Sequence, residues 1–239
     1  YNNIKPLNIE GLVACGGDGT FRGCFEFNQI YPDVNCIGVP CTIDNDLYGT
    51  DYCIGYDTAI NTALEAIDKI RDTADSHNRL FFVEVMGRDA GYIALRAGIG
   101  GGAEAILIPE SRTSMEQLIT KLERGWNRNK ASSIVIVAEG DEEGGAFEVA
   151  KKVKEKFDQY DTRVAVIGHM QRGGSPTCMD RVLASRLGVA AVEALVARRT
   201  NVMVGSVHNA IVHTTFDKAT KHTQEINVQL LSLAEILSS

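Results

Sequence analysis

The chain has 239 residues, with 24 Lys and Arg against 31 Asp and Glu and a formal net charge of -7. At 44% hydrophobic, 23% charged and 7% aromatic residues it has an ordinary globular composition, long enough for one large domain or two small ones with a real core. The acidic balance and the lack of any Lys/Arg-rich run exclude a nucleic-acid binder, and no apolar run of about 18 residues argues for a membrane span.

Short apolar runs alternate with longer helical patterns along the chain. Residues 11–15 (GLVAC) read as a strand, followed by GGDGT and a helix over 19–30. A second strand, 34–39, runs into PCTIDND, and a helix follows over 56–74. In that helix Ile60, Ala63, Leu64, Ile67 and Ile70 form one apolar stripe. Strand 79–86 (RLFFVEVM) ends in Gly87-Arg88 and precedes a helix over 89–101. Strand 104–108 precedes helix 113–128, in which Trp126 reads as a surface anchor. Strand 133–138 ends in Glu139-Gly140 before helix 145–159. Strand 163–167 ends in GHMQRGG before helix 176–199. MVGSV and AIVHT then read as a hairpin around His208-Asn209, and a short helix over 229–237 closes the chain. The unbroken apolar character of the strands suits parallel strands buried on both faces. Strand–helix alternation predicts a doubly wound α/β architecture, with ligands collecting beyond the carboxyl ends of the strands.

The six cysteines (Cys15, Cys24, Cys36, Cys41, Cys53 and Cys178) show no CxxC or zinc spacing. They read as reduced, mostly buried thiols of a cytoplasmic protein, and no signal-peptide pattern opens the chain.

Five strand ends carry the polar chemistry. In Gly16-Gly17-Asp18-Gly19-Thr20 the glycines let backbone N–H groups approach a phosphate, and the following helix start favours negative charge. Asp18 suits Mg2+, which prefers carboxylate oxygen. Thr42, Asp44 and Asp46 lie one strand–helix unit later. Phosphoryl transfer to an alcohol needs a base at the hydroxyl, a metal at the phosphates and cations around the moving charge, and this loop offers the base. Taken alone, TIDND is also what an Asx-rich turn looks like. Arg88 is placed to clamp phosphate, Glu139 to accept from hydroxyls, and His169 with Arg172 to hold a phosphorylated ligand. Each would otherwise be a solvated strand-end residue.

Taken together, GGDGT, TIDND, MGR, the strand-end Glu139 and HMQRGGSP resemble the 6-phosphofructokinase family, in order and spacing from about residue 10 to 215. The resemblance implies two similar doubly wound lobes with mainly parallel sheets and the chain crossing between them. Residues 1–55 with 171–221 would form the nucleotide and magnesium side, and 56–170 with 222–239 the sugar-phosphate side. It implies transfer from Mg-ATP to the 1-hydroxyl of fructose 6-phosphate. Gly17, Asp18, Gly19 and Thr20 would line the ATP phosphates, with Asp18 at the metal. Asp44 would be the base, flanked by Thr42, Ile43 and Asp46. Met86, Gly87 and Arg88 would form the substrate loop, and Glu139, His169, Met170, Gln171 and Arg172 would hold the sugar phosphate. Arg79 and Arg163 match arginines that reach the 6-phosphate from a neighbouring subunit, so a homo-oligomer, dimer or tetramer, with shared active sites is implied. Arg71, Glu104, Arg128 and Lys130 lie where bacterial relatives form a nucleotide effector site.

The chain departs from the family pattern in two places. Pyrophosphate-dependent members carry GGDD and PKTIDND, and ATP-dependent ones GGDG and PGTIDND. Gly19 matches the ATP type, whereas Cys41 stands for the usual Gly and is not the Lys of the pyrophosphate type. The family also opens with a Gly-rich strand–turn–helix and a phosphate-bridging arginine upstream of residue 1. The expectation is therefore that residues 1–239 alone fold only in part, or fold and bind sugar phosphate without turning over ATP. The alternatives carried are a pyrophosphate-dependent enzyme and a non-catalytic sugar-phosphate-binding or regulatory subunit.

Overall fold

The structure is a computed structural model that describes residues 1–74, 79–111, 113–128, 132–222 and 225–237. The main elements follow in chain order. They open with β1 (Gly11–Gly16), α1 (Asp18–Ile30), β2 (Asn35–Pro40), α2 (Tyr56–Ala74) and β3 (Arg79–Val85). Next come α3 (Tyr92–Gly100), β4 (Ala105–Leu107), α4 (Met115–Asn127), β5 (Ser132–Ala138) and α5 (Ala146–Lys156). The chain ends with β6 (Asp161–Val166), α6 (Cys178–Val196), β7 (Val202–Val207), β8 (Ala210–Thr215), α7 (Phe216–Lys221) and α8 (Val228–Leu237). The sequence reading missed α7, whose six residues are too short to show a helical period. Tertiary contact holds it instead: Phe216 is buried and stacks on Phe21 at 5.1 Å between ring centroids.

The described residues form two compact units, Tyr1–Asp57 with Pro176–Glu225, and Thr58–Ser175 with Ile226–Ser239. The first holds a sheet of order β1-β2-β7-β8, parallel except for the β7–β8 hairpin. Its turn is His208-Asn209, both with positive φ (48° and 64°), the backbone a two-residue hairpin loop requires. β2 and β7 are buried on both faces by strict alternation. Ile37, Val39 and Val204 pack under α6, while Cys36 and Met203 pack with Phe21 and Phe216 on the α1 and α7 side.

The second unit holds a parallel sheet of order β4-β5-β3-β6. Leu80, Phe82, Val135 and Val137 face α4 and α5. Ser114 and Gln117 start α4 with a reciprocal capping box. Trp126 is not the surface anchor expected. It packs against this core, edge-on to Tyr160 at 4.8 Å, because the last turn of α4 lies over the sheet.

Burial on both faces fails at β1 and β6, which are partly exposed because each is the outer strand of its described sheet. The same geometry corrects the expectation for the thiols. All six cysteines are free, but only Cys36 and Cys53 are buried. Cys15 lies on the outer strand β1, Cys41 is one residue past β2, and Cys178 opens α6; all three are exposed. No described helix is long and apolar enough to cross a membrane.

Candidate active site

In the first unit the β1–β2 register pairs Gly16 with Pro40, so the two strands end level. GGDGT and TIDND therefore start side by side. The Cys41 N–H donates to the Gly16 carbonyl at 2.9 Å, and a Cβ on Gly17 would lie 3.4 Å from the Thr42 Cβ. A Cβ on Gly16 would overlap the Thr20 side chain, so Gly16 is fixed by packing. At Gly19 a Cβ would meet nothing within 4 Å. Internal packing among the described residues therefore does not account for that glycine. Gly17 is the N-cap of α1 and Asp18 its first residue. One Asp18 oxygen accepts from Arg22 Nε at 3.0 Å, and the side chain stays partly open.

The TIDND loop leaves β2 and returns to it. Cys41 and Ile54 form a parallel bridge, and the Ile54 N–H donates to the Pro40 carbonyl at 2.9 Å. Inside this closed loop Asp44 is only 6% exposed, while Asp46 is half-buried. The Asp44 N–H donates to Thr42 Oγ1 at 3.2 Å, which leaves the threonine hydroxyl proton able to donate outward. Beneath lies Cys53, whose thiol burial pushes well above its ordinary range, with Asp46 and Asp44 adding to the shift. Cys41 is exposed as a residue, yet partial desolvation raises its thiol, helped by Cys15 and Asp180, so it carries no charge at neutral pH. The buried Asp180 carboxylate accepts the Gly55 N–H at 2.8 Å and so fixes the exit of the loop. Motif reading passed over Asp180 and also Asn45. The sequence signal for Asn45 was there: an Asn inside an Asx-rich loop, the residue that tolerates left-handed backbone.

In the second unit three neighbouring parallel strands, β5, β3 and β6, end together. The Glu139 N–H donates to the Val85 carbonyl and the Ile167 N–H to the Glu84 carbonyl, both at 3.1 Å. This brings Met86, Gly87 and Arg88 beside Glu139 and beside the 3-10 turn Gly168–Arg172, which carries His169, Met170, Gln171 and Arg172. Arg88, with φ 54°, is held by Glu139, whose Oε1 accepts the Arg88 N–H at 2.6 Å and the Gly87 N–H at 3.4 Å. A Cβ on Gly140 would overlap the Arg88 carbonyl, so the two strand ends touch. Gln171 is 1% exposed, and its side-chain oxygen accepts the Met86 N–H at 2.8 Å. Arg88, His169, Met170 and Arg172 are exposed at this edge.

Arg79 and Arg163 lie elsewhere. Arg79 opens β3 opposite Asp161, and Arg163 pairs with Phe81, so both arginines flank Asp161 on one face. The Arg163 guanidinium lies 2.9 Å from the Asp161 carboxylate and Arg79 Nε lies 3.5 Å from it. Seven residues of strand separate Arg79 from Met86, about 23 Å at roughly 3.3 Å per residue. Within this unit the two arginines and the Met86–Arg88 loop cannot hold one ligand. Arg71 donates to the Gly101 and Gly102 carbonyls, Glu104 is buried just before β4, and Arg128 follows α4. Lys130 lies outside the described residues.

Among the described residues no group of three or more His, Cys, Asp or Glu could by itself hold a metal ion. Asp18, the first residue of α1 and 26% exposed, is a single carboxylate of the kind Mg2+ takes alongside water and ligand phosphates.

The family model described as Phosphofructokinase matches residues 1–195. "ATP-dependent 6-phosphofructokinase 2" of Bacteroides thetaiotaomicron is 54% identical over 238 residues, covering 100% of this chain and 73% of its own length. "ATP-dependent 6-phosphofructokinase 1" of Thermus thermophilus is 53% identical over the same span and share. Among solved structures, phosphofructokinase from Saccharomyces cerevisiae aligns with TM-score 0.83 and 31% identity over 98% of this chain, which spans 34% of that chain. A pyrophosphate-dependent phosphofructokinase from Marinobacter aquaeolei aligns with TM-score 0.82 and 26% identity, over 95% of this chain and 64% of its own. The mixed α/β units with their mainly parallel sheets are those of this fold, and the chain belongs to the phosphofructokinase family.

Proposed function

We propose that this chain transfers the terminal phosphoryl group of Mg-ATP to the 1-hydroxyl of fructose 6-phosphate, giving fructose 1,6-bisphosphate and ADP. The observation that carries the reading is the level ending of β1 and β2, which sets the phosphate-type turn against a loop holding a buried carboxylate. The relatives more than half identical to the chain carry names for this ATP-dependent reaction.

Asp44 accepts the proton of the 1-hydroxyl as that oxygen bonds to the terminal phosphorus, and the bond from this phosphorus to the bridging oxygen breaks toward ADP. The Thr42 hydroxyl donates to a phosphoryl oxygen. Arg88 balances charge on the moving group. Asp18 would hold Mg2+, which neutralises phosphate charge when bound. Gly17 to Thr20 offer backbone donors to the nucleotide phosphates. Met86 to Arg88, Glu139 and the 169–172 turn hold the sugar phosphate, with Gln171 acting through the Met86 backbone.

ATP is favoured over pyrophosphate as donor because the space at Gly19 is open. An Asp there would place a carboxylate where the α-phosphate runs. Arg79 and Arg163 serve the 6-phosphate of a neighbouring subunit, a reading supported by the strand length that separates them from Arg88. The enzyme is then a homo-oligomer with shared sites. Arg71, Glu104 and Arg128, with Lys130, would serve an effector. Free thiols suit a cytoplasmic location.

Coupled assays with ATP and with pyrophosphate at matched Mg2+ test the donor. Higher kcat/KM with pyrophosphate would overturn it. Faster ATP turnover by Cys41→Gly would show that the thiol crowds the nucleotide.

A further inference from the structure

We infer that Asn45 is the positioning residue that holds Asp44 in its reactive place; this rests on the reading of Asp44 as the base. The loop between Cys41 and Ile54 is tied to β2 at its two ends, and its twelve inner residues belong to no helix or strand. Asn45 bridges it from within. Its Nδ2 donates to the Asp51 carbonyl at 3.1 Å, and its Oδ1 accepts the Cys53 N–H at 2.7 Å. The two partners have opposite polarity, so a flipped amide would lose both bonds. Asn45 is 4% exposed, so water does not substitute for either.

The far side of the bridge is itself anchored. The Asp51 N–H donates to the Ser206 carbonyl at 2.8 Å, and Asp51 Oδ2 accepts the His208 N–H at 2.7 Å. Thr50 Oγ1 accepts the Ser206 N–H at 3.1 Å. Residues 50 and 51 are thus fastened to the β7–β8 hairpin, and the Asn45 amide carries that rigidity to the backbone joining Asp44 and Asp46. Three demands meet at this position: one donor, one acceptor, and tolerance of φ 53°. Asn satisfies all three. Asp lacks the donor and adds a third carboxylate to the pair, and Ser or Ala cannot reach across.

The test uses the enzyme in its native assembly. Asn45→Gly removes both bonds while keeping the left-handed backbone accessible. It is compared with Asp44→Ala and with the double variant by kcat, KM for fructose 6-phosphate and amide exchange over residues 44–53. The expected result is a fall in kcat of about 100-fold, the effect of roughly 1 Å of misplacement. KM should stay within about threefold, and exchange at the Cys53 amide should accelerate. In the Asp44→Ala background Asn45→Gly should cost nothing further, since it acts through Asp44. A kcat for Asn45→Gly within about twofold of the parent, or losses that multiply in the double variant, overturns the inference. Asn45→Asp, which keeps size and the acceptor, is the second variant should the glycine form fail to fold; unchanged kcat there overturns it equally. Full activity of Asp44→Ala would defeat the assignment of the base itself, and is seen in a variant whose Asn45 is intact.

Discussion

Glu139→Ala removes the carboxylate that holds the Arg88 backbone N–H at 2.6 Å. A charge-assisted bond this short belongs at the upper end of its range, about 3 kcal/mol. The 3.4 Å contact from the Gly87 N–H is too long to add much. Against the bond stands the left-handed backbone of Arg88, φ 54°, which costs a non-glycine residue about 1–2 kcal/mol. With the carboxylate present, the observed turn wins by about 1.5 kcal/mol. Without it, this bond no longer offsets a similar strain, and the turn falls to about one-tenth of the population. KM for fructose 6-phosphate should therefore rise about tenfold through loss of the competent loop. Tryptic cleavage after Arg88, measured without any ligand, should also accelerate about tenfold, because it follows the opened population. Glu139→Gln keeps a neutral acceptor and should fall between the two. Unchanged cleavage at Arg88 in Glu139→Ala would refute the reasoning, whatever happens to KM, since it would mean that the carboxylate does not hold the turn.

Asp44→Ala should lower kcat by about 100- to 10,000-fold with a much smaller change in KM, and near-normal kcat in steady-state assays would remove Asp44 as base. Arg163→Ser and Asp44→Ala should each be inactive alone, yet regain activity when their subunits are mixed and exchanged. Absence of recovery despite exchange, followed by native mass spectrometry, would place each site within one chain. Its contact with Cys36 lowers the Cys24 thiol to about 7. A lowered value means thiolate at lower pH, so iodoacetamide should label Cys24 with a midpoint near neutrality. Cys36→Ala should move that midpoint upward, and an unmoved midpoint would refute the pairing.

The strand–helix alternation, the sheet ends and the motifs that mark them were legible in the sequence because each depends on neighbours in the chain. Apolar runs, glycines at turns and carboxylates after strands are local facts. What sequence could not show was which ends stand level. The Gly16–Pro40 register brings GGDGT against TIDND, and it is set by packing of β2 between α1 and α6, far apart in the chain. Thiol burial was misjudged for the same reason. Cys15 and Cys36 sit in similar apolar runs, but one strand is outermost in its described sheet and the other is central. Glu139 on the Arg88 N–H and Asn45 across its loop also needed the fold. A side chain's partner is decided by where the backbone brings unpaired N–H and carbonyl groups, and burial makes those groups take whichever acceptor or donor is there.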